Sequence, residues 1–111
     1  MEARERQIEV TCPECRGPIR QMLYEDLVEY RCLVGHSYSP RTILAAHLEA
    51  EEKALWAAVV ALEEAANLAR TTASQLPPET AAKVIEQAEP KRARASEVRR
   101  IAESLEAFQV E

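Results

Sequence analysis

All three cysteines of the chain fall between residues 12 and 32, and with one histidine they make the spacing Cys12-x2-Cys15-x16-Cys32-x3-His36. A two-residue gap lets both thiolates of one tight turn point at a common centre. A 16-residue gap is enough for a β-hairpin that returns a second turn to the same point. Cys32 and His36 then complete a tetrahedral Cys3His set suited to zinc. Thiolate softness favours zinc over magnesium or calcium. Both glycines of the chain, Gly17 and Gly35, lie in the same window and supply backbone freedom beside the ligands, while Pro13 stiffens the first turn.

Other uses of the cysteines fit less well. Three is an odd number, so the thiols cannot all pair within one chain, and in a reducing compartment disulfides are rare. A redox Cys-x2-Cys pair belongs at a helix start in a βαβ unit, whereas these flanks read as strands. Buried thiols without metal would need a larger core than 111 residues of this composition supply. Iron could occupy the same sulfur-rich set, and the histidine argues for zinc. With four donors filling the shell and no acid or base placed by any motif, the expected ion is one structural Zn2+, whose binding energy is folding energy.

The strand reading covers the first part of the chain. "QIEV", "PIRQML" and "VEYRCLV" alternate apolar and polar residues or are rich in β-branched and aromatic ones, and "YEDL" is the turn between the second and third. The pattern predicts a three-stranded zinc ribbon over residues 1–38. At Ser39 the character changes: "SP" reads as an N-cap serine followed by proline at the first helical position. Leu44, Leu48, Leu55, Val59, Leu62, Ala66 and Ala73 then step by three, four or seven residues, predicting a helix over about 40–75. "LPPE" stops it at a proline turn, 76–78. Val84, Ile85, Ala88, Ala95, Val98, Ile101, Ala102, Leu105 and Phe108 mark a second helix over about 79–108, with Pro90 expected to kink or split it.

The expected architecture is therefore α+β, mainly α: a small zinc ribbon (1–38) followed by a long antiparallel helical hairpin (39–111). Folding about Pro77 brings Glu63 and Glu64 near Lys91 and Arg92, and Glu51 and Glu52 near Arg99 and Arg100. Those acidic neighbours argue against a phosphate-binding face at residues 91–100. "ALWAAVVAL" carries no charge over two and a half turns, and Trp56 and Val60 fall to one side of the main stripe. Leu55, Trp56, Val59, Val60 and Leu62 are thus a candidate interface. Two coverings stay open: the ribbon folded back over Trp56, or a homodimer in which two hairpins form a four-helix bundle.

Much chemistry is excluded. Two glycines cannot build a Walker loop, a dinucleotide fingerprint or a GxSxG elbow, and Asp26 is the only aspartate. His47, on the first helix, reads as a solvated or helix-pairing residue. The net charge of −5 weighs against nucleic acid and anionic membranes. No apolar run approaches the roughly 20 residues that span a bilayer, and "MEARERQIEV" has no signal-peptide apolar segment, so the expected location is the cytoplasm. The expectation is a non-enzymatic module acting on a protein partner or a second copy of itself, with no small-molecule substrate.

"CPEC.GP", "YRC.VGH.YS" and "LAA..EA.E.ALWAA..ALEE" together resemble the C-terminal extension of CheB-type chemotaxis protein-glutamate methylesterases, over roughly residues 9–70. The resemblance implies that Cys12, Cys15, Cys32 and His36 are metal ligands, that Trp56 belongs to the following helix, and that the setting is bacterial signalling. The catalytic α/β domain and its Ser-His-Asp triad have no counterpart here, so the esterase activity does not carry over. The regulatory tail of such an enzyme is one alternative role, and a nucleic-acid-binding zinc ribbon is another. The chain also departs from that family at Arg16, where a glycine commonly follows the second cysteine, and after residue 75.

Overall fold

The computed structural model describes residues 3–110. Four antiparallel strands come first: β1 (Arg4–Thr11), β2 (Pro18–Leu23), β3 (Val28–Cys32) and β4 (Ser37–Tyr38), hydrogen-bonded in that order. Two helices follow, α1 (Pro40–Ala73) and α2 (Pro78–Glu103). The class is α+β, mainly α, but the sheet has four strands where three were expected. The third strand stops at Cys32 because Leu33 to Gly35 turn the chain, and Ser37 and Tyr38 then pair back onto Arg31 and Tyr30.

The chain divides into two compact units, Met1–Ala50 with Glu106–Glu111, and Glu51–Leu105. The division therefore falls inside α1 rather than at Ser39, since the first turns of α1 pack with the sheet. In the first unit the buried cluster is Cys12, Ile19, Cys32 and Ile43, with Ile8, Val10, Tyr30, Tyr38 and Leu44 partly buried against it. Ile43 lies on the first turn of α1, and Ser39 fixes where that helix begins. The Ser39 hydroxyl accepts from the Thr42 N–H (3.1 Å), and the Ser39 N–H donates to the Thr42 hydroxyl (2.8 Å). This is a capping box with threonine in the reciprocal position.

The second unit is an antiparallel helical hairpin. Its buried residues recur every seven positions on each helix: Val59, Ala66 and Ala73 on α1, and Ala88, Ala95 and Ala102 on α2. Seven residues are close to two helical turns, so each trio forms one straight seam, and alanine lets the two backbones approach closely. Arg70 pairs with Glu89 (2.6 Å), Arg92 donates to Asn67 (2.7 Å), and Arg99 pairs with Glu63 (3.0 Å).

These partners are displaced from the ones expected by folding the sequence about Pro77, where Arg99 was set against Glu51 and Glu52. Side chains on a helix lean toward its N-terminus. On α1 that is away from the turn and on α2 toward it, so Glu63 and Arg99 reach each other from levels that residue counting does not match.

Two further details concern the second helix, which was expected to kink or split at Pro90 and to reach about residue 108. α2 runs through Pro90 without a break; the carbonyl of Glu86, which loses its helical donor there, is on an exposed residue that water can reach. And α2 ends at Glu103, not near 108. The Ser104 N–H and hydroxyl both donate to the Ile101 carbonyl (3.1 and 2.8 Å), closing the last turn with a local bond that competes with helix propagation. Beyond it, Phe108 is exposed, and the Val110 carbonyl accepts from Arg41 in the first unit (2.9 Å).

Candidate metal centre

Both ligand pairs sit in hairpin turns at one end of the sheet. Cys12 to Gly17 join β1 to β2, and Cys32 to His36 join β3 to β4. The β2–β3 hairpin between them closes at the other end, where the Tyr24 N–H donates to the Leu27 carbonyl (2.8 Å). Its register puts Ile19 directly opposite Cys32, and this brings the two turns together. The 16 residues between Cys15 and Cys32 thus serve as a spacer of two paired strands.

The two turns share a construction. The Cys12 N–H donates to the Gly17 carbonyl (2.7 Å) and the Arg16 N–H to the Cys12 carbonyl (2.9 Å). In the second turn the Cys32 N–H donates to the His36 carbonyl (3.1 Å) and the Gly35 N–H to the Cys32 carbonyl (3.2 Å). Each turn needs one residue with positive φ. Gly35, at 113°, is the unstrained choice in the second, whereas Arg16 takes 63° in the first.

One ligand atom from each of Cys12, Cys15, Cys32 and His36 lies within 4.8 Å of all the others, close enough to share one metal ion. Cys15 Sγ is 3.7 Å from Cys32 Sγ, and His36 Nδ1 is 3.6 Å from Cys12 Sγ and 3.3 Å from Cys32 Sγ. A sulfur separation of 3.7 Å excludes a disulfide, whose bond is about 2.05 Å long. Cys12 and Cys32 are buried and Cys15 is exposed.

Two side chains that the spacing did not single out complete the surroundings. The Glu14 carboxylate, from inside the Cys-Pro-Glu-Cys turn, is 2.8 Å from His36 Nε2. That contact holds the proton on Nε2 and leaves Nδ1 free to face the sulfurs, as a carboxylate behind a ligating histidine does. The Tyr38 hydroxyl is 3.5 Å from Cys12 Sγ and is placed there by β4. Neither was signalled by the sequence, since contacts behind a ligand set follow no fixed spacing.

The electrostatics favour thiolate at Cys12 and Cys32. Burial raises the Cys32 thiol, but the His36 and Gly35 N–H groups and the neighbouring thiol and imidazole outweigh it and bring its pKa down to about 6. Cys12 is likewise raised by burial and lowered further by the Tyr38 hydroxyl and the backbone N–H groups of Cys15 and Glu14. Cys15 is lowered by the Gly17 N–H, yet burial and the other two sulfurs leave it raised. His36 is raised, first by its contact with Cys32. Tyr38 is pushed up by the Cys12 sulfur and by burial. Three sulfurs this close repel one another as thiolates, and a divalent cation at their centre would remove the conflict.

His47 is not part of the set. It is half-buried on α1, where the sequence suggested a solvated or helix-pairing residue, and it lines an open groove of about 270 Å³ with Ile8, Val10, Tyr30, Pro40, Ile43 and Leu44. Its Nε2 is buried and has no hydrogen-bond partner among the described residues.

The five candidate interface residues separate within the hairpin. Val59 is in the seam at 1% exposure, and Leu55 and Leu62 are half-buried. Trp56 and Val60 keep 36% and 51% of their surface, and the Arg99 guanidinium lies over the Trp56 ring at 5.4 Å. Among the described residues no helix is long and apolar enough to cross a membrane. No family model, no curated protein and no solved structure matches the chain.

Proposed function

We propose that Cys12, Cys15, Cys32 and His36 hold one zinc ion in a closed structural site, and that the chain acts without catalysis, by protein contact through its helices. The observation that carries the metal reading is the set of donor distances. A tetrahedral zinc with sulfur at about 2.3 Å and nitrogen at about 2.0–2.1 Å sets S···S edges of about 3.8 Å and S···N edges of about 3.5 Å. The separations of 3.7, 3.6 and 3.3 Å are close to the edges of such a tetrahedron. Three thiols and one imidazole are also the soft donor set that selects zinc over hard cations. All four positions are filled by protein, which leaves no open position for a substrate or an activated water.

The contact role is supported by Trp56, Val60 and Leu68, which the second unit leaves 36%, 51% and 66% exposed on α1. The partner is another protein or a second copy of the chain, and the net charge of −5 disfavours nucleic acid. Bacterial signalling is the setting that the resemblance of residues 9–70 to the methylesterase extension supports.

Zinc analysis combined with sedimentation equilibrium tests both parts. Protein purified without chelators is expected to carry about one zinc per chain, and less than about half an equivalent would remove the metal site. A concentration-independent monomer would remove the self-association and leave only a different protein as partner.

A further inference from the structure

The three sulfurs of the cluster are not equivalent toward solvent. Cys12 and Cys32 are 1% and 2% exposed, whereas Cys15 stands at the tip of its turn between the exposed Glu14 and Arg16. Cys15 Sγ is 3.7 Å from the sulfur of buried Cys32, while the Cys12 sulfur is flanked by the Tyr38 hydroxyl and His36 Nδ1. We infer that Cys15 is an oxidation site, at which a peroxide converts the metal cluster into a Cys15–Cys32 disulfide and releases the ion. This rests on the zinc reading above.

The chemistry balances with hydrogen peroxide as the oxidant and two protons from solvent. The Cys15 thiolate attacks one peroxide oxygen; an S–O bond forms, the O–O bond breaks, and the departing hydroxide takes a proton to become water. The Cys32 thiolate then attacks the Cys15 sulfur. An S–S bond forms, the S–O bond breaks, and a second hydroxide leaves as water after protonation. Two thiolates have lost two electrons, and the peroxide has been reduced to two waters. Closing 3.7 Å to a bond of about 2.05 Å asks for a movement of about 1.7 Å between the two turns.

The consequence follows from the donor count. Only Cys12 and His36 remain, and two donors do not make a structural zinc site, which takes four. Glu14 then has no ligated imidazole to orient. The β2–β3 hairpin stays tied, because the new bond joins its two ends, while the β1–β2 and β3–β4 turns lose the ion that held them together. Exposure of Cys15 also predicts selectivity: an oxidant from solvent meets this sulfur first.

The test uses the full chain with its zinc content measured beforehand. Hydrogen peroxide is added, zinc release is followed with a chromophoric chelator, and the cysteines are located by peptide mapping with fragment-ion sequencing. The expected result is one zinc released per disulfide formed, a Cys15–Cys32 linkage, and reversal by dithiothreitol with added zinc. A Cys15→His variant keeps four donors in a Cys2His2 set. It is expected to retain zinc and to release it at least about tenfold more slowly under the same peroxide. Full retention of zinc by the wild-type protein under excess peroxide, a linkage through Cys12, or equal release rates in the two proteins would overturn the inference. Protein that starts without zinc fails the metal reading itself, so the two failures are distinguishable.

Discussion

In the unit Met1–Ala50 the buried side chains are Cys12, Ile19, Cys32 and Ile43; in the unit Glu51–Leu105 they are Val59 and five alanines. The first has two aliphatic residues at its centre, worth together about 3–6 kcal/mol of burial. On the zinc reading proposed above, a structural ion would add an apparent 10–16 kcal/mol, and order in the sheet would then depend mainly on it. The second unit buries little area per residue, but its helices are rich in alanine, leucine, glutamate and arginine and keep their backbone hydrogen bonds locally. One unit is held by a point and the other by a line. The difference shows two ways in which a chain of 111 residues manages with almost no core.

Removing the point should separate the units most sharply. Adding a strong chelator, or introducing Cys32→Ser, is expected to abolish the dispersed amide resonances of β1 to β4, at a cost of about 10 kcal/mol in that unit. The far-ultraviolet helical signal should largely survive, and its loss in parallel would show that the two units are one cooperative body. Overpacking the line is the converse. Ala66→Leu places a large side chain where exposure is 0%, and should destabilise the hairpin by about 1–3 kcal/mol in urea denaturation, with zinc stoichiometry unchanged.

Smaller effects sharpen the description of the point. Glu14 is 62% exposed, so its support of His36 is screened by water. Glu14→Ala should weaken zinc about tenfold in competition with a chelating dye, the low end for such a contact, and leave one site per chain. Unchanged affinity would show that the imidazole is oriented without it. Arg16→Gly relieves a left-handed φ of 63° and is expected to raise the stability of the zinc-loaded unit by up to about 1 kcal/mol; a decrease would place the strain elsewhere.

The two units were also legible in the sequence to different depths. Ligand spacing is a strict geometric demand, so the convergence of Cys12, Cys15, Cys32 and His36 could be read directly, as could the hairpin from Pro77, Pro78 and the apolar stripe. β4 was missed because two residues carry no periodicity, and its signal is a tertiary one, Tyr38 opposite Tyr30. Ile101 to Phe108 keep helical spacing after the helix has stopped, because Ser104 ends it with a local bond that an apolar count does not register. Ala88, Ala95 and Ala102 are identifiable only as a set, since an isolated alanine does not reveal that two backbones meet there. Glu14 lay in plain view between two ligands, but which exposed carboxylate touches the imidazole depends on where the second turn lands.

The most direct test of the central claim is zinc K-edge X-ray absorption on protein purified without added metal or chelator. The expected result is one tetrahedral zinc with three sulfurs at about 2.3 Å and one nitrogen at about 2.0–2.1 Å. Its edge should keep that signature in Glu14→Ala and lose a sulfur in Cys15→His. Absence of zinc, or a shell dominated by oxygen, would contradict it.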